Sequence, residues 1–449
     1  MPRFRSIDRE SQLALPISIQ ECLSEGHLAR YVVELVESLD LSALEAHYAG
    51  RGQEAYPPKL LLALLIYAYA TGVFSSRKIE RATYDSIPFR YIACNLHADH
   101  DTLAWFRQRF KQEFAEVFLQ VLRVARENGL SRFDTVSLDG TQLHANASRH
   151  SALSYGHAER LDAKLEAEVA ELLRLAEETA ALPEGMNLPE EIQRREARRL
   201  AIAQAKRNIE ARAQERFERE QAEYQAKQAA RQAKIEATGK KPGGKEPKPP
   251  QAGPRPDDQI NLTDEDSRIM KVAGDGFEQS YNAQALVDTE SLLVRVPRVT
   301  QAANDKEQLT PMIAQVQSLP AGLNAPARLL ADNGYFSETN VIACQDAQIE
   351  PLIALKREDH HPHWQERFRE PGPLAEGATA VEKMKHALGT RVGKAAYALR
   401  KQTVEPVFGI IKSVMGFRQF LLRGLENVAN EWTLVCLAWN VKRMAVLRP

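Results

Sequence analysis

Between residues 56 and 128 the hydrophobic positions recur at spacings of three and four, which predicts a helical N-terminal domain over 1–128. Pro57 and Pro58 open a helix, Lys59–Thr71, that is apolar on most of its surface and stops near Gly72. Ser75 to Glu80 reads as the cap and first turn of the next helix, with Arg77, Lys78 and Arg81 outward. After the polar loop His97 to Asp101, Thr102 caps a third helix, Leu103–Asn128. Its Trp105, Phe106, Phe110, Phe114, Phe118 and Leu122 form a core stripe. Arg77, Lys78, Arg81, Arg107, Arg109 and Lys111 give this domain a basic face suited to DNA, although a solvated helix face is the commoner origin of such charge.

The periodicity changes at Phe133 to Gly140, a β-prone run that predicts a strand presenting Asp139 at its C-terminal end. Residues 155–238 then shift to Ala, Glu, Arg, Lys and Gln. Leu161, Leu165, Leu172 and Leu175 fall at helical spacing, Leu182 to Pro189 breaks the chain, and Ile202, Ile209, Phe217 and Tyr224 lie nearly a heptad apart. This predicts a long antiparallel helical hairpin, a spacer or packing arm inserted into the surrounding fold. A Lys/Gly/Pro-rich linker, 239–256, follows. Strands are then expected over Tyr281–Asp288 and Leu292–Val296, joined by the turn Thr289 to Ser291. A helix over Asp305–Gln317, a strand Ala327–Asp332 ending in an acid, a helix capped by Ser337 and a strand Glu350–Leu355 come next. Such alternation predicts an α/β fold, a mixed sheet with helices on its faces, over 129–154 and 257–425, closed by a helix within 426–449.

Composition narrows the classes. Four cysteines, Cys22, Cys94, Cys344 and Cys436, form no CxxC pair, which argues against a disulfide framework or a zinc knuckle and favours a reducing cytoplasmic compartment. The first sixteen residues lack the apolar core of a signal peptide, and no apolar run approaches a membrane span. The net charge of -1 is uninformative, because the charge is segregated. From Lys383 to Arg423 nine bases surround a single carboxylate, Glu405.

Asp139 and Asp332 end two apolar strands, where ligands collect in open α/β sheets. Two close carboxylates repel, and a divalent cation is one remedy; hard oxygen ligands favour Mg²⁺ or Mn²⁺ over zinc. Glu405, in the first turn of a helix capped by Thr403, supplies a third acid. Such a set suits two-metal displacement at phosphorus. Glu405, Phe408, Gly409 and Lys412 share one helical face, which would let Lys412 hold a phosphate of the strand being cut. Tyr397 can stack on a base, and Arg400 can grip a phosphate bidentately. Taken singly, an Asp at a strand end is more often a turn or cap residue. Asp288 is the best competitor, although the residues after it read as an ordinary hairpin turn. His360, His361 and His363 read as a solvated loop, His144 as a packed or hydrogen-bonded histidine, and Trp432 and Trp439 as core.

These residues also carry a resemblance. Val404 to Gly409 with Lys412 after it and Tyr397 and Arg400 before it resembles the tyrosine-arginine-glutamate-lysine signature of bacterial insertion-sequence transposases with an Asp-Asp-Glu active site. Leu138 to Thr141 followed by Ala145 to Ser148 is similar to the family's first-aspartate motif, and Ala331 to Ser337 to its second. The resemblance covers most of the chain. It implies a ribonuclease-H-like catalytic domain, catalytic and metal-binding roles for Asp139, Asp332 and Glu405, and DNA contacts from Tyr397, Arg400, Lys401, Lys412 and Arg418. It further implies Mg²⁺-dependent cleavage at transposon ends, strand transfer into target DNA, and a homodimer or higher oligomer that pairs two ends. The signature places three residues between arginine and glutamate, so Lys401 holds the strict position while Arg400 is one residue further away. A nuclease on the same fold that cuts without joining, and a non-catalytic DNA-binding remnant, are the alternatives.

Overall fold

The computed structural model describes residues 19–48, 55–177, 186–239, 243, 245–272, 274, 276–355 and 369–448. Residues 182–185 of the break expected over Leu182 to Pro189, and the cluster His360, His361 and His363, lie outside them. The chain divides into two compact units, 1–143 with 281–449, and 144–280.

In the first unit the N-terminal region is helical: α1 (Leu28–Ser38), α2 (Ser42–Glu45), α3 (Pro58–Ala70), α4 (Ser76–Asp85), α5 (Ile87–Ile92), α6 (His100–Arg109) and α7 (Lys111–Glu127). Helix α3 is buried on nearly every side, as its run of Leu, Ile, Ala and Tyr dictates. The single helix expected over Leu103–Asn128 is two, because Phe110 leaves helical geometry at ψ 55°. Its cap is Asp99, whose carboxylate accepts the Thr102 N–H at 2.7 Å, not Thr102. The break turns α7 onto a new axis, so one stripe no longer marks one face. Phe106, Phe110, Phe114, Phe118 and Leu122 are buried, whereas Trp105 is 49% exposed with the Arg109 guanidinium 5.2 Å from its ring. Arg107 leaves the expected basic face altogether. It is buried, donates to Tyr69 Oη at 2.8 Å and to the Phe74 carbonyl at 3.2 Å, and lies 4.0 Å from Glu431. Arg77, Lys78, Arg81 and Arg109 remain exposed.

Strand β1 (Thr135–His144) carries the chain into the second unit. There, β2 (Ala152–Ser154), α8 (Tyr155–Glu177), α9 (Leu188–Thr238) and β3 (Gln259–Asn261) form a helical hairpin closed at its root by β2 pairing antiparallel with β3. Arg195 meets Glu168 at 2.8 Å and Arg199 meets Asp162 at 3.0 Å, so later residues of α9 meet earlier ones of α8 and the helices run antiparallel. Leu165, Ile202, Ala205 and Ile209 are the packed seam. The end of the expected linker is docked, since Arg216 bonds Asp258 at 2.7 Å and the Gly253 carbonyl at 3.2 Å. A strand absent from the sequence reading, β4 (Arg268–Val272), pairs antiparallel with the start of β5 (Gly276–Asp288), so this unit is wider than the hairpin of 155–238.

Back in the first unit, β5 is followed by β6 (Val294–Thr300), α10 (Leu309–Gln317), β7 (Arg328–Ala331), α11 (Glu338–Asp346), β8 (Glu350–Ile353), α12 (Ala380–Gly389), α13 (Arg391–Ala398), α14 (Val404–Gly409) and α15 (Leu425–Leu447). The strand order is β6-β5-β1-β7-β8. Strands β5 and β6 are antiparallel, and β7 is parallel to both β1 and β8. The Thr289 N–H donates to the Thr135 carbonyl at 3.0 Å, which sets the end of β5 beside the start of β1. The sheet is therefore mixed, with helices on both faces. Leu138, Leu329, Ala331 and Ile353 pack on α10, α11 and α12, and the alternate residues Leu330 and Leu352 pack on α13. Trp432 and Trp439 are core, and their indoles donate to the carbonyls of Gln284 and Leu292. Asp288 is buried in the β5–β6 turn, accepting from Ser131 Oγ at 2.9 Å and the Ser291 N–H at 2.8 Å, a turn role in full. Helix α10 begins at Leu309, not at Asp305, and leaves that acid in the preceding turn.

Candidate active site

The parallel register of β1 and β7 sets Leu138 opposite Ala331. Asp139 comes next on β1, which runs on to His144 and does not end at the acid as expected, and Asp332 is the first residue past β7; neighbouring strands lie about 4.8 Å apart. Two residues distant by nearly two hundred positions are thus side by side at one end of the sheet. Asp139 Oδ1 accepts the Gly140 N–H at 2.8 Å, and Asp332 Oδ1 accepts the Gly334 N–H at 2.8 Å, capping the short turn Asn333–Tyr335. Burial pushes the Asp139 carboxyl up to about 7; the Gly140 N–H pulls it down, Asp332 raises it, Arg400 lowers it and Asp305 raises it.

Arg400, on the turn Leu399–Gln402 before α14, reaches both sides of the site. Its Nη1 lies 3.5 Å from Asp139 Oδ2 and its Nη2 lies 3.3 Å from Glu405 Oε1. The guanidinium is 11% exposed, and Glu405 is 53% exposed at the first turn of α14. Burial works against the charge of Arg400, but Tyr397, Asp139, Asp332 and Glu405 outweigh it and hold its pKa above the usual value. Its Nε is buried without a hydrogen-bond partner. Lys401, the next residue, is exposed and lines a recess of about 430 Å³ with Lys394, Tyr397, Ala354 and Leu355. The Tyr397 ring packs beside Leu330, Leu352 and Ala396.

The shared face expected for Glu405, Phe408, Gly409 and Lys412 does not form. After α14 the chain widens into a π-type turn, Ile410–Val414, closed by the Met415 N–H on the Ile410 carbonyl at 2.9 Å. The turn changes the pitch only from Ile410 on, and so affects the place of Lys412; within α14 itself Phe408 is buried while Glu405 faces outward. The Lys412 ammonium turns to β1, donating to Thr141 Oγ1 and to the Gln142 carbonyl at 3.0 Å. Burial and Arg418 lower its pKa. Arg418 is exposed and donates through Nε to the Lys412 carbonyl at 3.1 Å.

A polar group that the sequence reading missed lies against Gly140. Asp305 Oδ1 accepts from Asn282 Nδ2 at 2.8 Å and from Gln284 Nε2 at 2.7 Å, and Gln284 Oε1 accepts the Tyr335 hydroxyl. A Cβ on Gly140 would sit 2.7 Å from Asp305 Oδ1 and 2.8 Å from Asn282 Oδ1, and closer still to Gln284 Nε2. The signal present in the sequence was Asn282-x-Gln284, two polar residues on one side of the strand within the apolar run Tyr281–Val287.

Among the described residues no group of three or more His, Cys, Asp or Glu is arranged to hold a metal ion. By chemistry the donors do suit a divalent cation. Asp139 and Asp332 offer adjacent hard carboxylate oxygens, and the positive charge of Arg400 stands between Asp139 and Glu405. No helix among the described residues is long and apolar enough to cross a membrane.

Two family models match the chain: one described as Transposase domain (DUF772) over residues 17–109, and one described as Transposase DDE domain over residues 253–441. Neither the curated proteins nor the solved structures contain a significant match. The second match spans Asp305, Asp332, Arg400, Glu405 and Lys412, while Asp139 lies before it.

Proposed function

The chain belongs to the insertion-sequence transposases with a DDE domain, and we propose that it cuts phosphodiester bonds at the ends of its element and joins the freed 3′-hydroxyl to target DNA. Asp139, Asp332 and Glu405 are the catalytic acids of this reading, on a sheet of ribonuclease-H-like type. The observation that carries it is the register that makes Asp139 and Asp332 neighbours, with Glu405 drawn to the same place through Arg400.

Asp139 and Asp332 would hold Mg²⁺ from the sheet, and Glu405 would hold it from the helix. Bound there, the ion supplies the Lewis acidity for an in-line displacement at phosphorus, with Mn²⁺ able to substitute. The chain's own residues position the substrate. Arg400 offsets the charge of Asp139 and Glu405, and its fork of donors would suit a phosphate if those carboxylates held a cation. Lys401 and Arg418 are exposed and add sequence-independent contacts to the phosphate backbone, Lys412 steadies β1 directly after Asp139, and Tyr397 borders the recess beside Lys401. The N-terminal helices, with Arg77, Lys78, Arg81 and Arg109 exposed, are the candidate reader of the element's ends. A homodimer or larger assembly would pair two such ends.

The test is a plasmid carrying the element with its flanking DNA, incubated with the full chain in Mg²⁺ or in chelator. Release of the element and insertion of a labelled end into a second plasmid, both only in Mg²⁺, are the expected results. Nicking without insertion would reduce the activity to that of a nuclease. Binding without any cleavage would overturn the catalytic reading.

A further inference from the structure

We propose that Asp305 is a positioning residue for the site, the anchor of a buried polar frame that fixes the separation of Asp139 and Asp332. The inference rests on the reading of these two acids as cation ligands. Asn282 and Gln284 are fully buried on β5, the strand beside β1, and both direct their amide N–H groups at one oxygen of Asp305, at 2.8 and 2.7 Å. Gln284 Nε2 also donates to Asn282 Oδ1 at 2.9 Å, and Asn282 Nδ2 to the Ala302 carbonyl at 3.1 Å. Each amide is therefore locked in one orientation.

This frame touches both aspartate motifs. On one side it lies flush against Gly140, with no room for a Cβ, so the backbone directly after Asp139 is held by contact. On the other side Gln284 Oε1 accepts the hydroxyl of Tyr335, a fully buried ring three residues beyond Asp332. The Tyr335 carbonyl in turn accepts from Asn340 Nδ2 at 2.7 Å, which ties the turn to α11. Parallel strand pairing alone sets the two aspartate backbones to within the play of strand ends. The frame joins Gly140 to Tyr335 by way of Gln284 and removes that play. Groups that orient a cation's ligands without touching it change affinity by about 10- to 100-fold when removed.

Asparagine at 305 keeps an oxygen to accept both amides, so geometry and charge can be separated. The experiment is direct Mn²⁺ binding to the full chain without DNA, read from the spectroscopic signal of free Mn²⁺, alongside melting in chelator. Wild type is expected to bind, and Asp139→Ala to lose binding; if wild type shows no binding, the reading of the acids fails rather than the role of Asp305. Given wild-type binding, Asp305→Ala is expected to weaken Mn²⁺ about 10- to 100-fold, with Asp305→Asn restoring it to within about threefold. Should Asp305→Ala not fold, Tyr335→Phe carries the test, since it removes only the hydroxyl joining the frame to the second motif and is expected to weaken Mn²⁺ several-fold with little change in melting. Unaltered Mn²⁺ affinity in Asp305→Ala or Tyr335→Phe would overturn the proposal. So would Asp305→Asn as weak as Asp305→Ala, which would make the charge of Asp305 the operative property.

Discussion

Arg400 and Asp139, 261 residues apart in sequence, meet at 3.5 Å, and the same guanidinium lies 3.3 Å from Glu405. We therefore propose Arg400 for the arginine role that spacing leaves open between it and Lys401. Arg400→Ala is expected to lower end cleavage about 100- to 1,000-fold, the usual scale for removing a preorganised donor at a reaction centre. Arg400→Lys should restore little of it, because an ammonium cannot span two carboxylates as a planar fork does. Lys401→Ala should stay within about threefold of wild type, in keeping with its exposed place. Cleavage rates for the three variants, taken at saturating DNA, check the assignment, and a larger loss in Lys401→Ala would reverse it.

The Asp139 carboxyl makes stability depend on pH. Burial first, with Asp332 and Asp305 adding to it, lifts that group from 3.8 to about 7, so the folded state binds the proton more tightly than the unfolded chain. The contribution is fully present below about pH 4 and is lost as pH rises through about 7. Asp139→Asn removes the ionised form. In chelator it should melt above wild type at pH 8, by the equivalent of about 2–4 kcal/mol, with the two converging near pH 4. Melting curves across that range decide it, and a variant less stable than wild type at pH 8 would contradict the cause given.

Gly140 has no room for a methyl group. Gly140→Ala should cost about 1–3 kcal/mol in denaturant unfolding, the range for overpacking a filled site, and it should lower cleavage further than that loss of folded protein explains. A fully stable, fully active Gly140→Ala would show that the frame on Asp305 yields.

How much of this was legible beforehand follows from the range of each interaction. Asp139 and Asp332 could be found because each closes an apolar, β-prone run, although β1 continues past Asp139 to His144 and only Asp332 stands at the end of its strand. Asp305 could not, because its partners Asn282 and Gln284 lie more than twenty residues away and nothing in its turn records them. Arg107 looked like a surface base among others; its burial depends on Tyr69 and Glu431, which only the fold brings to it. The break at Phe110 and the π-type turn after α14 defeated periodicity for a simpler reason. A spacing of three and four carries across a change of helix axis or pitch, although the face it describes does not.

Lys412 illustrates the consequence. Its ammonium is bonded to Thr141 and to the Gln142 carbonyl, so its first task is to hold the strand that carries Asp139. Lys412→Ala should therefore lower cleavage more than DNA binding, and should change the slope of log affinity against log salt by less than the about 0.9 of one full phosphate contact. Binding isotherms at several salt concentrations check this, and a full unit of slope would restore the phosphate role.

The assembly of three acids from three distant segments is tested most directly by cleavage of end-bearing DNA in Mg²⁺, comparing wild type with Asp139→Ala, Asp332→Ala and Glu405→Ala, with end binding measured on the same preparations. Each variant is expected to lose cleavage while binding ends to within about twofold of wild type, since none of the three acids is a source of phosphate affinity. Persistent Mg²⁺-dependent cleavage in any one of them would remove that residue from the catalytic set.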